Sequence, residues 1–311
     1  MQALERQATL ALLGDAPGEH HDHRPSEDRE LQPRGTPVSR ADVPVAASAR
    51  AAADRLERVT EHGWRRGFAN LLRKELATWT RTRTGWVQVV VWIALLNGLL
   101  TLPLVFMRDL FTTELGGTFD AALDMFFNLS AMLPYAGVVI LAQGAIIGER
   151  QLGTAAWVLS KPVSRSAFVL AKFAALALGM LVSAVTIPSL IAYGALSLEA
   201  GATLDALRFA TAVGIVALGL LWYLALALML GTLVQQRGVV LAVPLVSIVA
   251  GDMLIAAWSG LGELGPWMLG RLALVVADGG PLLSPWPLVS TALATLAFLA
   301  VALWRFGLEE F

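Results

Sequence analysis

The chain has 311 residues, 56% of them hydrophobic and only 15% charged, with a mean hydropathy of +0.65. A soluble domain is about 25% charged, so a chain this poor in charge cannot cover a water-facing surface. The balance of 23 Lys+Arg against 24 Asp+Glu gives no pointer to nucleic acid, and zero cysteines exclude disulfide frameworks, thiolate metal sites and cysteine nucleophiles.

Charge is unevenly spread. Residues 1–84 hold 14 of the 23 Lys+Arg, 12 of the 24 Asp+Glu and all four His. A charged head therefore precedes a membrane domain. Residues 1–60 read as a largely disordered cytoplasmic tail. Gly14 to Pro44 contains five prolines, many charges and no apolar periodicity. Ala46–Glu61 is rich in Ala and Arg and compatible with helix. No secretory apolar region follows Met1, so no signal peptide is expected. His20, His21 and His23 are metal-capable, but a solvated tail is the better reading, because no fold holds the ligands.

Residues 61–84 differ. Trp64, Phe68, Leu71, Leu72, Leu76 and Trp79 recur at spacings of three and four. Arg65, Arg66, Arg73, Lys74 and Arg81 fill the opposite face, with Glu75 among them. This pattern predicts an amphipathic helix in the membrane interface, its cations meeting anionic lipid headgroups. The plainer alternative is a basic flank that only fixes topology. The stripe persists for four turns, which favours the structured helix.

From residue 85 the chain reads as the transmembrane domain, 85–311. Charge-free stretches run Thr84–Met107, Met125–Gly148, Phe173–Leu198, Phe209–Gln236 and Gly279–Trp304. Each exceeds the roughly 20 residues that cross the hydrocarbon core. A sixth, Gly238–Leu261, is broken only by Asp252. Glu263–Trp286 has too short an apolar core, Leu272–Ala277, and many Gly and Pro. It predicts a re-entrant or interfacial hairpin before the last span. The expected fold is an all-α integral membrane protein with six transmembrane helices, preceded by an N-terminal cytoplasmic amphipathic interfacial helix. Pro103, Pro134, Pro188 and Pro244 are expected to kink or end spans.

Loop charge gives orientation. With the N-terminus inside, the cytoplasmic flanks carry twelve cations and the outer loops three, Arg108, Arg208 and Arg271. Both termini are thus expected on the cytoplasmic side of the membrane.

Catalytic signatures are missing. No G-x-x-x-x-G-K-[ST] occurs, and none of the three lysines (Lys74, Lys161, Lys172) follows a glycine. The chain carries no P-loop and no ATPase of that class. H-E-x-x-H and G-x-S-x-G are absent too, and the membrane domain has no histidine. The chain is expected not to be an enzyme and to hold no cofactor or metal of its own.

The loop after the second span reads from Gly144 to Lys172 as GAIIGERQLGTAAWVLSKPVSRSAFVLAK. It resembles the first cytoplasmic loop of ABC-2-type transporter permeases, the six-helix membrane subunits of ABC exporters. The pattern there is G-E-R/E-x-x-G-T, an apolar stretch, P-[VL]-S-R, and a helix reopening near a Lys. The matching residues are Gly148, Glu149, Arg150, Gly153, Thr154, Pro162, Ser164, Arg165 and Lys172. Arg73-Lys74-Glu75-Leu76 and the closing stretch from Trp304 to Phe311 are similar to that family as well. The resemblance covers about residues 64–311. It implies a dimer of two such subunits, alike or paired with a homologue, on separate ABC ATPase subunits that hold ATP and Mg. The loop would carry a coupling helix seated in a groove of the ATPase.

The residues agree with that implication. Glu149 and Arg150 meet water at a helix end, and Gly153 permits a tight turn. Thr154 can cap a short helix containing Ala155, Ala156, Trp157, Val158 and Leu159, and Pro162 ends it. Ser164 can cap the third span, and Arg165 lies at its start. The alternative is an ordinary basic loop. Asp252 is the other candidate, since a carboxylate inside a span is a functional candidate by default. It suits a proton or substrate path in an ion-coupled secondary transporter, but a structural hydrogen bond across the bundle is the favoured role. A non-transport membrane assembly protein is a third reading.

Overall fold

The computed structural model describes residues 62–109, 117–151, 163–258, 260, 264–282 and 284–309, with the side chains of Arg150 and Asp252 outside that description. The described chain is helical, with no strand among the described residues. A 3-10 turn at Gly63–Arg65 leads into α1, Phe68–Arg81. Next come α2 (Arg83–Phe106), α3 (Thr118–Ser130), α4 (Leu133–Gln151), α5 (Arg165–Glu199) and α6 (Ala206–Leu233). The chain continues with α7 (Arg237–Ala257), a 3-10 turn at Pro266–Met268, α8 (Leu269–Ala277) and α9 (Trp286–Gly307).

Among the described residues, five helical rods are long and apolar enough to cross a membrane: α2, α3 with α4, α5, α6 and α9. Their outward side chains include Trp86, Val90, Leu190 and Leu293, all exposed. Such a surface on rods of spanning length suits lipid, and the chain is a multi-pass membrane protein, helical through its described residues. The sixth expected span falls on α7, 21 residues long, or about 31 Å by helix rise. Its apolar described part, Arg237–Gly251, is shorter.

The centre of the bundle is α6, which packs on α4, α8 and α9. Asp205 caps it, accepting from the amides of Leu207 and Arg208 at 3.0 and 3.1 Å. From Trp222 to Leu228 every side chain of α6 is buried. An all-round apolar helix belongs at such a centre. Close approach needs a gap: a Cβ on Gly219 would lie 2.1 Å from the Tyr135 hydroxyl oxygen. With hydrogen there instead, Tyr135 of α4 reaches α6 and donates to the Val216 carbonyl at 3.0 Å.

The prolines act as their chemistry requires. Pro134 sits in the first turn of α4, just past the break after Ser130. Pro103 lies in a π-helical turn, Leu102–Phe106, and Pro188 stands two residues after the end of another, Leu181–Thr186. The missing amide of proline leaves a carbonyl that a wider turn accommodates. Pro244 lies inside α7.

Among its described residues, the segment before the last span holds the 3-10 turn at Pro266–Met268 and the nine-residue α8. This helix ends in a Schellman arrangement: Gly279 has φ 89°, Gly279 donates to Val276 and Gly280 to Val275. The Arg208 guanidinium donates to the Gly279 carbonyl at 2.8 Å, tying this turn to the start of α6. Helix α8 is too short to span, and it packs on α6 and α3.

Candidate functional site

The amphipathic stripe forms α1, and α1 lies along α5. Leu71 is buried, and Phe68, Leu72 and Trp79 pack against the same core. From Phe68 to Trp79 the stripe therefore packs on protein, while Trp64 is exposed. Arg73 and Lys74 point outward and are exposed. Gly179 of α5 makes room for the Trp79 ring, since a Cβ there would fall 2.2 Å from it.

The start of α1 is clipped to the start of α5. Gly67 turns with φ 77°, and a Cβ on it would meet Val163 at 2.8 Å. The Ser164 amide donates to the Arg66 carbonyl at 3.1 Å. Ser164 then caps α5, its hydroxyl accepting from the Ala167 amide at 3.0 Å, as its position in the loop predicts.

The centre of the site is Lys172. Its ammonium donates to Glu75 of α1 at 3.1 Å and to Glu149 of α4 at 3.0 Å. The lysine side chain is only 6% exposed, and the two carboxylates are about a quarter exposed, at 23% and 22%. Lys172 also stands 5.1 Å from the Phe168 ring centroid, and Phe168 stacks on Phe306 of α9 at 5.3 Å. Beside this, Arg165 donates to the Gly307 carbonyl at 2.7 Å. Arg237, opening α7, donates to Gln151 at the end of α4 at 2.9 Å. One end of the bundle thus gathers α1, α4, α5, α7 and α9 on polar contacts.

Of the residues singled out in the sequence, Glu75, Glu149 and Arg165 meet at this end. Arg150 lies in the last turn of α4. Gly153, Thr154, Trp157 and Pro162 lie outside the described residues; Asp252 lies within α7, its side chain outside the description. The sequence reading gave no role to Lys172 beyond ending the motif. A lone lysine at the mouth of a long apolar run was the available signal.

Polar contacts also mark the opposite ends of the rods. Arg108, after α2, bonds Glu199, at the end of α5, at 2.9 Å, and the Thr118 hydroxyl donates to the same carboxylate. A cavity of about 320 Å³ lies between the α3–α4 break, α6, α7 and α8, lined by Asn128, Tyr135, Tyr223, Trp267 and Arg271 among others. Trp267 is fixed there by donating to the Ser247 carbonyl at 2.9 Å. Among the described residues, no three acids or histidines cluster to hold a metal ion.

Compared with known proteins, the chain matches no protein-family model, and no curated protein matches it at a significant level.

Proposed function

We propose that the chain is the permease subunit of an ATP-driven ABC transporter, an exporter working with separate ATPase subunits. One observation carries the reading: Lys172 joins Glu75 and Glu149. These residues come from two of the three stretches that resemble the ABC-2 family, and Glu75 and Glu149 lie 97 and 23 positions away from Lys172 in the chain. A loop that only connects two spans has no need to tie its own helix to a preceding amphipathic helix.

In this reading the coupling element is the loop at about 149–165, with Trp157 in a groove of the ATPase. ATP and Mg sit on the partner. Closure of the ATPases displaces the segment, whose two ends are α4 and α5. Glu149 moves with α4, Lys172 with α5, and Glu75 carries the displacement to α1. Arg165 passes it to α9 through Gly307. Two copies, or this chain and a homologue, form the dimer. Six spans, with α7 the fifth, put both termini on the cytoplasmic side of a prokaryotic plasma membrane, where the twelve-to-three cation bias supports placing the Lys172 end.

The experiment is purification of the tagged full-length protein from its native membrane under mild detergent. A stoichiometric P-loop ATPase co-eluting with it supports the reading. Recovery without any ATPase, together with ion-driven uptake in vesicles, overturns it.

A further inference from the structure

Outside the Lys172 site, α1, α2 and α5 enclose an apolar groove of about 400 Å³. Trp79, Trp86, Val89, Leu178, Val182 and Ile187 form its walls. Two glycines shape it. A Cβ on Gly85 would lie 1.8 Å from the Trp79 carbonyl, and one on Gly179 would enter the Trp79 ring. The groove is open to the surface: Trp86 is 72% exposed and Val182 51%. Its polar neighbours, Thr80 and Ser183, spend their hydroxyls on backbone carbonyls of their own helices. The gutter therefore offers a ligand an apolar wall without polar demands.

Charge at the mouth is one-sided. Over 76–89 and 178–187, the two segments that build the groove, the only ionised side chains are Arg81 and Arg83, with no acid. Both are exposed, at the elbow between α1 and α2. An exposed apolar gutter on a membrane protein faces acyl chains, and two cations at its end select an anionic headgroup.

We propose that this groove is a binding site for an acidic phospholipid, with one acyl chain along Trp86 and Val182 and the phosphate at Arg81 and Arg83. The site is independent of any ATPase. Because Trp79 is shared between the groove and the α1–α5 contact, the bound lipid also holds α1 in place.

The test is quenching of Trp86 fluorescence, taken as the difference between wild type and Trp86→Phe, in full-length protein in vesicles. The vesicles contain equal mole fractions of acyl-brominated phosphatidylglycerol or acyl-brominated phosphatidylcholine. Each cation beside an acidic headgroup changes affinity roughly fivefold. Phosphatidylglycerol should quench at far lower mole fraction, and Arg81→Gln/Arg83→Gln should lose roughly 25-fold of that preference. Both arginines are exposed, so folding, checked by circular dichroism, is unchanged. Val182→Phe, which fills the gutter, should weaken quenching by both lipids. Equal quenching by the two lipids, or a preference that survives the double Gln variant, overturns the proposal and leaves ordinary boundary lipid.

Discussion

The Lys172 ammonium lies 3.0 Å from the Glu149 carboxylate, 23 residues before it, and joins the end of α4 to the first half of α5. Glu75 completes the arrangement from α1. Among the described residues, Lys172 is the cation that these two carboxylates share. Removing it takes that partner from both, whereas removing Glu75 leaves the lysine paired with Glu149.

The first prediction follows from that asymmetry. Lys172→Met should destabilise the protein by about 3–5 kcal/mol, the range for breaking a buried pair. Glu75→Gln should cost less, because Glu149 still neutralises the lysine. The triple variant Lys172→Met/Glu75→Gln/Glu149→Gln should regain most of the loss. Thermal unfolding in detergent measures all three, and a Lys172→Met midpoint equal to that of Glu75→Gln contradicts the assigned pairing.

A second prediction concerns the seat of α1. Gly179→Ala puts a methyl into the Trp79 ring and should cost about 1–3 kcal/mol, as overpacking does. Adding Trp79→Leu should relieve part of it. A fully additive double mutant would show that the two residues do not touch.

Turn chemistry supplies a third. Gly279 has φ 89°, and a Cβ there would lie 2.4 Å from the Arg208 guanidinium. Gly279→Ala should therefore cost about 1–3 kcal/mol from backbone strain alone, and hydrogen exchange of the Gly280 amide should rise. Unchanged exchange would mean the Schellman turn is not formed.

Topology gives a fourth. Thr203 and Leu308 are exposed near opposite ends of the rods. Cysteines placed there, in a chain with none of its own, should react with an impermeant maleimide from opposite sides of sealed vesicles. Labelling from one side only contradicts the six-span reading.

The helices were legible because long charge-free runs need only composition. Their ends were not. The third run was bounded at Phe173, yet α5 begins at Arg165, eight residues earlier. Lys172 stopped the count, but it lies inside the helix, neutralised by two carboxylates from elsewhere in the chain. The last run was drawn from Gly279, yet α9 starts at Trp286. Gly279, Gly280, Pro281 and Pro285 are uncharged but poor helix formers, so a charge criterion could not see them. The stripe of Phe68, Leu72 and Trp79 showed which face of α1 is apolar. Periodicity carries no information about what covers a face, and α5 covers it through Gly179. Glu75, Glu149 and Arg165 were legible as motif members. Their convergence depends on helix packing, which no local pattern records.

The most direct test of the coupling account is ATPase binding and ATP hydrolysis measured on variants of the loop and of the lysine site. Burying one large side chain contributes about 1.5–3 kcal/mol, so Trp157→Ala should weaken ATPase docking by about one to two orders of magnitude. Glu149→Gln should leave docking near wild type and abolish the stimulation of hydrolysis by transport, since it breaks the link to Lys172 and not the groove contact. If Trp157→Ala changes neither docking nor stimulated hydrolysis, the loop at about 149–165 is not a coupling element and the account fails.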